Sequence, residues 1–268
     1  MSLDAGAIAR ALARRGAGVG QPLSVVDRTA STNDDARAAA AAGAPHGAAF
    51  LADEQTAGRG RGGHRWHSPP GSNIYLSLLL RPQLPLAAAA SITLACGLVV
   101  AAVVERALVG AGAPGAADAV ALKWPNDVLA AGRKIAGVLV EAQLRGDAIQ
   151  SLIVGVGLNV AERSFPPEIA HRATSLALLG VDAPREEVAA DLIASLGEAV
   201  TRFEADQLAP FARELARRDW LRGRRVSVGE ISGIAAGIDT DGRLLVEGDD
   251  GTLHPVVSGE VSVALGPT

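Results

Sequence analysis

The sequence predicts an α+β protein, with a large mixed unit over residues 1–218 and a small all-β unit over 219–268. Two observations carry that division. Up to Arg218, short apolar runs of β character alternate with alanine- and leucine-rich segments of helical period. After Trp220 the chain reads "RRVSVGEISGIAAGIDTDGRLLVEGDDGTLHPVVSGEVSVAL". Brief alternating runs broken by Asp-Gly turns predict a small barrel of roughly five strands. With 268 residues, 49% of them hydrophobic and 20% charged, the chain can bury a substantial core.

The elements follow in order. Residues 3–15 place Leu3, Ile8 and Leu12 on one helical face, closed by Gly16. "LSVVDR" (23–28) predicts a strand, and "STN" then caps an alanine-rich helix that stops at Gly43. "AAFLADEQ" (48–55) and "NIYLSLLL" (73–80) predict two more strands, the second ended by Arg81-Pro82. A helix is expected over 86–109. "GVLVEAQL" (137–144) and "SLIVGVGLNV" (151–160) predict a hairpin around Arg145-Gly146-Asp147. Residues 185–218 predict helix with a break at Pro210.

Composition excludes several functions. A net charge of −4 argues against indiscriminate nucleic-acid binding. At 3% aromatic residues, stacking platforms for single strands are not expected. The lone Cys96 forbids an internal disulfide and fits a reducing, cytoplasmic setting. The nineteen uncharged residues from Leu86 to Val104 are long enough to span a bilayer. They are mostly alanine, interrupted by Ser91, Thr93 and Gly97 and flanked by no aromatic belt, so a buried core helix is expected. Asp4 and the lack of a long apolar segment at the start argue against a signal peptide.

Four stretches carry chemistry. "EQTAGRGRGGHRW" (54–66) sets Arg59, Arg61 and Arg65 among glycines, where backbone N–H groups and planar guanidinium groups can close on an anion. "KWPNDV" presents an ammonium, an amide and a carboxylate at the end of a short strand, with Pro125 forcing Trp124 out of helical geometry. "GRKIAGVLVE" opens a strand with Lys134, and "GVGLN" brings two glycines and Asn159 to a strand end. The 25 basic residues include only two lysines, Lys123 and Lys134, and the chain has only four asparagines, 33, 73, 126 and 159. Both lysines, Asn126 and Asn159 fall within these stretches, and Asn33 and Asn73 within the turn motifs "STN" and "GSN". Two lysines, an arginine-glycine loop and one carboxylate suit the joining of a carboxylic acid to the α-phosphate of ATP, where cations and N–H donors must hold two anions together. A Walker A loop, a serine nucleophile elbow and metal-ligand histidine spacing are all absent.

Taken together, "STN", "EQTAGRGRGGHRW", "SPPGSNIYLSLLL", "KWPNDV", "RKIAGVLVE", "GVGLNV" and "ATSL", in this order, resemble the bacterial biotin protein ligases over about residues 24–180. The resemblance implies a class II synthetase-like catalytic fold, a mixed β-sheet flanked by helices, with a small C-terminal SH3-like barrel. It implies formation of biotinyl-5′-AMP from biotin and Mg²⁺-ATP, then transfer of biotin to a lysine of a biotin carboxyl carrier protein. Carried over by motif, Ser31, Thr32 and Gln55 hydrogen-bond the ureido end of biotin, and Asn33 is counted among the binding residues. Gly58, Arg59, Gly60 and Arg61 form the loop over the adenylate, with both arginines near its carboxyl and phosphate groups, and Trp66 stacks on adenine. Lys134 contacts the biotin carboxyl and α-phosphate oxygens. Lys123, Asn126 and Asp127 serve the nucleotide phosphates and Mg²⁺. Gly137, Gly155, Gly157 and Asn159 line the pocket. Members that also repress transcription carry an N-terminal winged helix-turn-helix; only about 22 residues precede the first strand here, so a monofunctional ligase without DNA binding is expected, as monomer or homodimer. The alternatives are a lipoate or octanoate ligase of the same fold, an Arg-Gly nucleic-acid-binding protein, and a retired ligase kept as a biotin sensor.

A compact ammonium can follow one phosphate oxygen into the transition state, which the broad guanidinium fork cannot. Lys134→Arg is therefore expected to keep biotin binding, measured by calorimetry, and to lose most adenylate formation, measured by ATP–pyrophosphate exchange.

Overall fold

A computed structural model describes residues 2–264 apart from 90, 114–119 and 147. Seven strands form one mixed sheet: β1 (Leu23–Thr29), β2 (Ala49–Gln55), β3 (Ile74–Leu80), β4 (Val120–Lys123), β5 (Asp127–Ala130), β6 (Arg133–Arg145) and β7 (Ala148–Leu158). Their spatial order is β1-β2-β3-β7-β6-β5-β4. Only β1 and β2 run parallel; every other neighbouring pair is antiparallel. All seven residues of β3, "IYLSLLL", are buried, which suits a central strand covered on both faces. The expected hairpin is β6–β7, and its ladder pairs Gly137 with Gly157 and Leu139 with Gly155. Asp147 of its predicted turn lies outside the described residues.

The predicted "KWPNDV" strand end is a hairpin of its own. β4 and β5 pair Lys123 with Asp127 across Trp124-Pro125-Asn126, and the Trp124–Pro125 peptide is cis.

The helices cover the sheet. α1 (Ala5–Arg14) is capped by Asp4, whose carboxylate accepts the backbone N–H groups of Gly6 and Ala7. α2 is Thr32–Ala41, α3 is Ile92–Gly110, α4 is the single turn Pro167–Ala170, α5 is Arg185–Asp206 and α6 is Ala212–Arg218. A 3₁₀ turn at Ala209–Phe211 separates α5 from α6, where the break at Pro210 was expected. α3 is apolar on almost every face because it is sandwiched between the sheet and α5. Among the described residues the segment 86–110 is long and apolar enough to cross a membrane, and 75% of its apolar window is buried inside the protein. Gly97 lets α3 approach β4 closely: a Cβ there would lie 2.6 Å from Leu122 Cδ1.

The C-terminal region forms a five-stranded antiparallel sheet. Its strands β8 (Arg225–Val228), β9 (Ile231–Ile238), β10 (Leu244–Glu247), β11 (Leu253–Val256) and β12 (Ser262–Val263) run in the order β11-β10-β9-β8-β12. It rests on the β4–β5 hairpin, where the buried Trp124 Nε1 donates to Gly242 O at 2.9 Å and Trp220 N to Leu122 O at 3.0 Å. Arg218, only 2% exposed, steadies the approach by donating to Val120 O at 3.0 Å and pairing with Glu105 and Glu214. Val226, Leu244 and Val246 share one apolar core with α3 and the large sheet.

A buried ion pair ties the helical layer to the chain that frames the glycine-rich loop. Arg185 Nη1 lies 2.8 Å from Asp53 Oδ1, each side chain 9% exposed, and Asp53 Oδ2 accepts Gly71 N at 2.9 Å. Removing one partner strands the other charge, so Asp53→Ala is expected to cost about 3–5 kcal/mol in a denaturant unfolding experiment.

Candidate functional site

The β6–β7 ladder supplies a strip of bare backbone. Gly157 and Gly137 face the Trp66 indole, and a Cβ on Gly157 would lie 2.3 Å from Trp66 Cε2. Two residues along the same strand, Gly155 faces Asn33, whose Oδ1 lies 2.3 Å from the position a Cβ would take. Glycine is needed here for close approach, not for unusual dihedrals. The two contacts are roughly 7 Å apart along the ladder.

Around this strip lies a pocket whose lining includes Ser31, Thr32, Asn33, Gln55, Arg59, Gly60, Trp66, Asn126, Lys134, Gly137, Gly155 and Gly157. Of the residues selected from sequence, these twelve converge on one space. Gly58, Arg61, Lys123, Asp127 and Asn159 do not line it.

One wall is a polar cluster at the start of α2. Ser31 occupies the predicted N-cap position, but its side chain makes no capping bond. Instead Thr32 N donates to Gln55 Oε1 at 2.9 Å, and Thr32 Oγ1 lies 3.2 Å from the same oxygen. Gln55 Nε2 donates onward to Ser68 Oγ at 3.1 Å, and Ser68 Oγ to Trp66 O at 3.1 Å. Ser77, fully buried in β3, lies 2.6 Å from Asn33 Oδ1 and 2.8 Å from Thr32 Oγ1. Sequence reasoning missed Ser77. The signal was a lone hydroxyl inside an apolar strand, where a buried polar group needs a partner.

The opposite chemistry gathers at the mouth of β6. Lys134 Nζ lies 2.6 Å from Asp127 Oδ1 and 5.3 Å from the centroid of the Trp66 ring. The backbone of Lys134 is pinned on both sides, its N–H to Arg172 O at 2.8 Å and its carbonyl by Thr174 N at 2.9 Å. Asn126 donates through Nδ2 to Val138 O at 3.2 Å, and Asn159 through Nδ2 to Thr174 O at 2.9 Å. Asn159 thus acts on the backbone behind the wall. Lys123 points elsewhere, with its ammonium 6.0 Å from the Trp220 ring centroid at the junction with the C-terminal sheet.

The glycine-rich loop is a small hairpin over this pocket. Gly60 N donates to His64 O at 2.7 Å and Trp66 N to Gly58 O at 2.9 Å, while Gly62 and Gly63 turn the chain with φ of 66° and 81°. Both arginines expected near the adenylate have protein partners. Arg59 reaches Asp34 at 2.9 Å and Glu141 at 3.5 Å. Arg61 Nη1 donates to Gly259 O of the C-terminal region at 2.8 Å. The buried Trp66 Nε1 has no hydrogen-bond partner among the described residues. An unpaired buried N–H costs about 1–3 kcal/mol, so an acceptor brought to the indole edge would be stabilised. No group of three or more His, Cys, Asp or Glu side chains suited to a metal ion occurs among the described residues.

Because the indole rests on bare backbone, Gly157→Ala should displace it. The expected result is ATP affinity reduced by roughly tenfold or more, about the free energy of an overpacked core contact, as read by calorimetry.

Comparison with known proteins identifies the family. The profile of the Biotin/lipoate A/B protein ligase family matches residues 25–159, and that of the Biotin protein ligase C terminal domain matches residues 223–263. The chain is 39% identical over 241 residues to the biotin--[acetyl-CoA-carboxylase] ligase of Mycobacterium tuberculosis, a match covering 87% of this chain and 86% of that protein. It is 38% identical over 223 residues to the bifunctional ligase/repressor BirA of Escherichia coli, covering 81% of this chain and 66% of BirA. It therefore spans about two thirds of the length of that bifunctional relative. Among solved structures, the biotin protein ligase from Aquifex aeolicus in complex with biotin and ATP aligns with a TM-score of 0.73 at 33% identity, covering 90% of this chain and 97% of that one. Matched by the family's two profiles and along most of its length by relatives of this identity, the chain belongs to the biotin protein ligases of the biotin/lipoate A/B protein ligase family.

Proposed function

We propose that this pocket divides its residues between the two half-reactions of a biotin protein ligase. In the first, a biotin carboxylate oxygen attacks the α-phosphorus of ATP, a P–O bond forms, and pyrophosphate leaves with the electron pair of the broken bond. In the second, a lysine amine of a biotin carboxyl carrier protein attacks the biotinyl carbonyl and AMP leaves. The observation that carries this reading is the juxtaposition of the Thr32–Gln55–Asn33 cluster with Lys134 along one glycine strip. The cluster offers donors and acceptors suited to a ureido ring. Lys134 then sits where the carboxylate and α-phosphate would meet, and its ammonium offsets the charge that builds on the phosphoryl oxygens.

Asp127 orients Lys134 in this scheme. Its carboxylate is committed to the ammonium at 2.6 Å, and the residues around it do not fit a protein-built magnesium cage. Mg²⁺ would enter on the ATP phosphates, as it usually does. Trp66 provides a flat apolar surface and an unpaired indole N–H beside the same glycines, suited to stacking on adenine. Residues 219–268 act as a separate C-terminal unit that meets the loop through Arg61, and the buried single thiol fits a cytoplasmic enzyme.

The test is ATP–pyrophosphate exchange with biotin, lipoate or octanoate supplied in parallel. Exchange dependent on biotin alone is expected; exchange with lipoate or octanoate would move the protein to the sister activity. Asp127→Asn is expected to slow exchange by roughly a hundredfold, comparable to losing one charge-stabilising group, at unchanged Mg²⁺ dependence. A shift in that dependence would instead make Asp127 a metal ligand.

A further inference from the structure

Glu141 stands on β6, four residues beyond Gly137, and its two carboxylate oxygens serve two different parts of the site. Oε2 accepts Asn33 Nδ2 at 2.7 Å. Oε1 accepts Arg37 Nη2 at 2.9 Å and Arg59 Nη2 at 3.5 Å. Asp34 closes the arrangement, with Oδ1 2.5 Å from Arg37 Nη1 and Oδ2 2.9 Å from Arg59 Nη1. Two guanidinium groups and two carboxylates thus form a closed ring that joins α2, β6 and the glycine-rich loop.

The oxygen that faces Asn33 has a consequence for the pocket. A carboxylate can only accept, so the amide of Asn33 must turn its NH₂ toward Glu141 and its Oδ1 toward Ser77 and Gly155. Asn33 is 5% exposed and lines the pocket, so this choice fixes an acceptor where a ring N–H of the ligand would arrive. Without Glu141 the amide could turn over and present its donors instead. The oxygen that faces Arg59 acts on the loop, because Arg59 ties the Gly58–Trp66 hairpin by ion pairs to Asp34 of α2 and Glu141 of β6.

We infer that Glu141 is a positioning residue of the biotin site, setting the acceptor polarity of Asn33 with one oxygen and seating the Arg59 end of the glycine-rich loop with the other. The inference rests on the proposed biotin-adenylating function. Arg37 braces the same arrangement, and among the described residues its ion pairs are with Asp34 and Glu141.

The test compares Glu141→Gln, Glu141→Ala, Arg59→Ala and the Glu141→Ala/Arg59→Ala double variant with the wild-type chain. Three quantities are read: biotin Kd by calorimetry without ATP, KM for ATP in the exchange assay, and the rate at which preformed biotinyl-5′-AMP leaves the protein. Glu141→Ala is expected to weaken biotin binding and to speed adenylate loss by roughly ten- to a hundredfold, the range for lost hydrogen bonds to a charged group, with KM for ATP unchanged. Glu141→Gln, nearly isosteric, keeps an acceptor for Asn33 but turns an NH₂ toward Arg59, so it should speed adenylate loss more than it weakens biotin binding. For adenylate loss the effect of the double variant should fall short of the product of the two single effects, since both remove the Glu141–Arg59 contact. Wild-type biotin binding and retention in the Glu141 variants would overturn the inference and leave the ligase reading standing. Fully additive effects, or losses that merely follow a lowered melting temperature, would also overturn it by making Glu141 a structural residue. A wild-type chain that neither binds biotin nor catalyses biotin-dependent exchange would overturn both.

Discussion

The contact of the Trp66 indole with the backbone of Gly157 is the constraint around which the site is arranged. An aromatic ring can lie flat on a sheet only where the strand beneath has no side chain, and the ladder provides such ground at paired positions, Gly137 and Gly157. The ring in turn stands over the Lys134 ammonium, which Asp127 holds from the other side. Shifting either strand by one residue would put alanine, valine or leucine under the indole and turn the glycines to the opposite face. Register in β6–β7 is therefore a functional property. The buried runs of β3 and β7 that fix it belong to the same requirement.

Polar groups that enter this apolar sheet do so in chains of partners. Ser77, Asn33, Thr32, Gln55 and Ser68 pass hydrogen bonds from the sheet interior to the backbone of Trp66. Each buried group is satisfied by its neighbour, which makes the cluster stiff and gives every donor and acceptor a defined direction. The ion ring of Arg37, Asp34, Arg59 and Glu141 continues the same logic at the pocket's edge, where charges are only part-exposed. The polar wall of the pocket and the glycine-rich loop are thus joined through shared side chains.

Much of this was legible in the sequence, for reasons that differ by residue. Lys134 stood out because the chain avoids lysine, and Gly137, Gly155 and Gly157 because glycine in a strand weakens it without another use. The order of strands and helices followed from periodicity, and the small C-terminal sheet from its Asp-Gly turns. Other features depend on contacts that no local pattern encodes. Glu141 meets Asn33 across 108 residues and Ser77 meets it across 44, so neither role is visible in a window of neighbours. Lys123 is paired with Asp127 across the β4–β5 hairpin, yet its ammonium lies beside Trp220 at the domain junction. Ser31 has the chemistry and position of a helix cap, but the Gln55 side chain takes over the first helical N–H.

The bond between Arg61 and Gly259 also orders events in time. A ribosome adds residues in sequence, and the pocket floor is complete in primary structure once Leu158 has emerged, about a hundred residues before Gly259. Every residue that lines the pocket is therefore synthesised long before the anchor of Arg61.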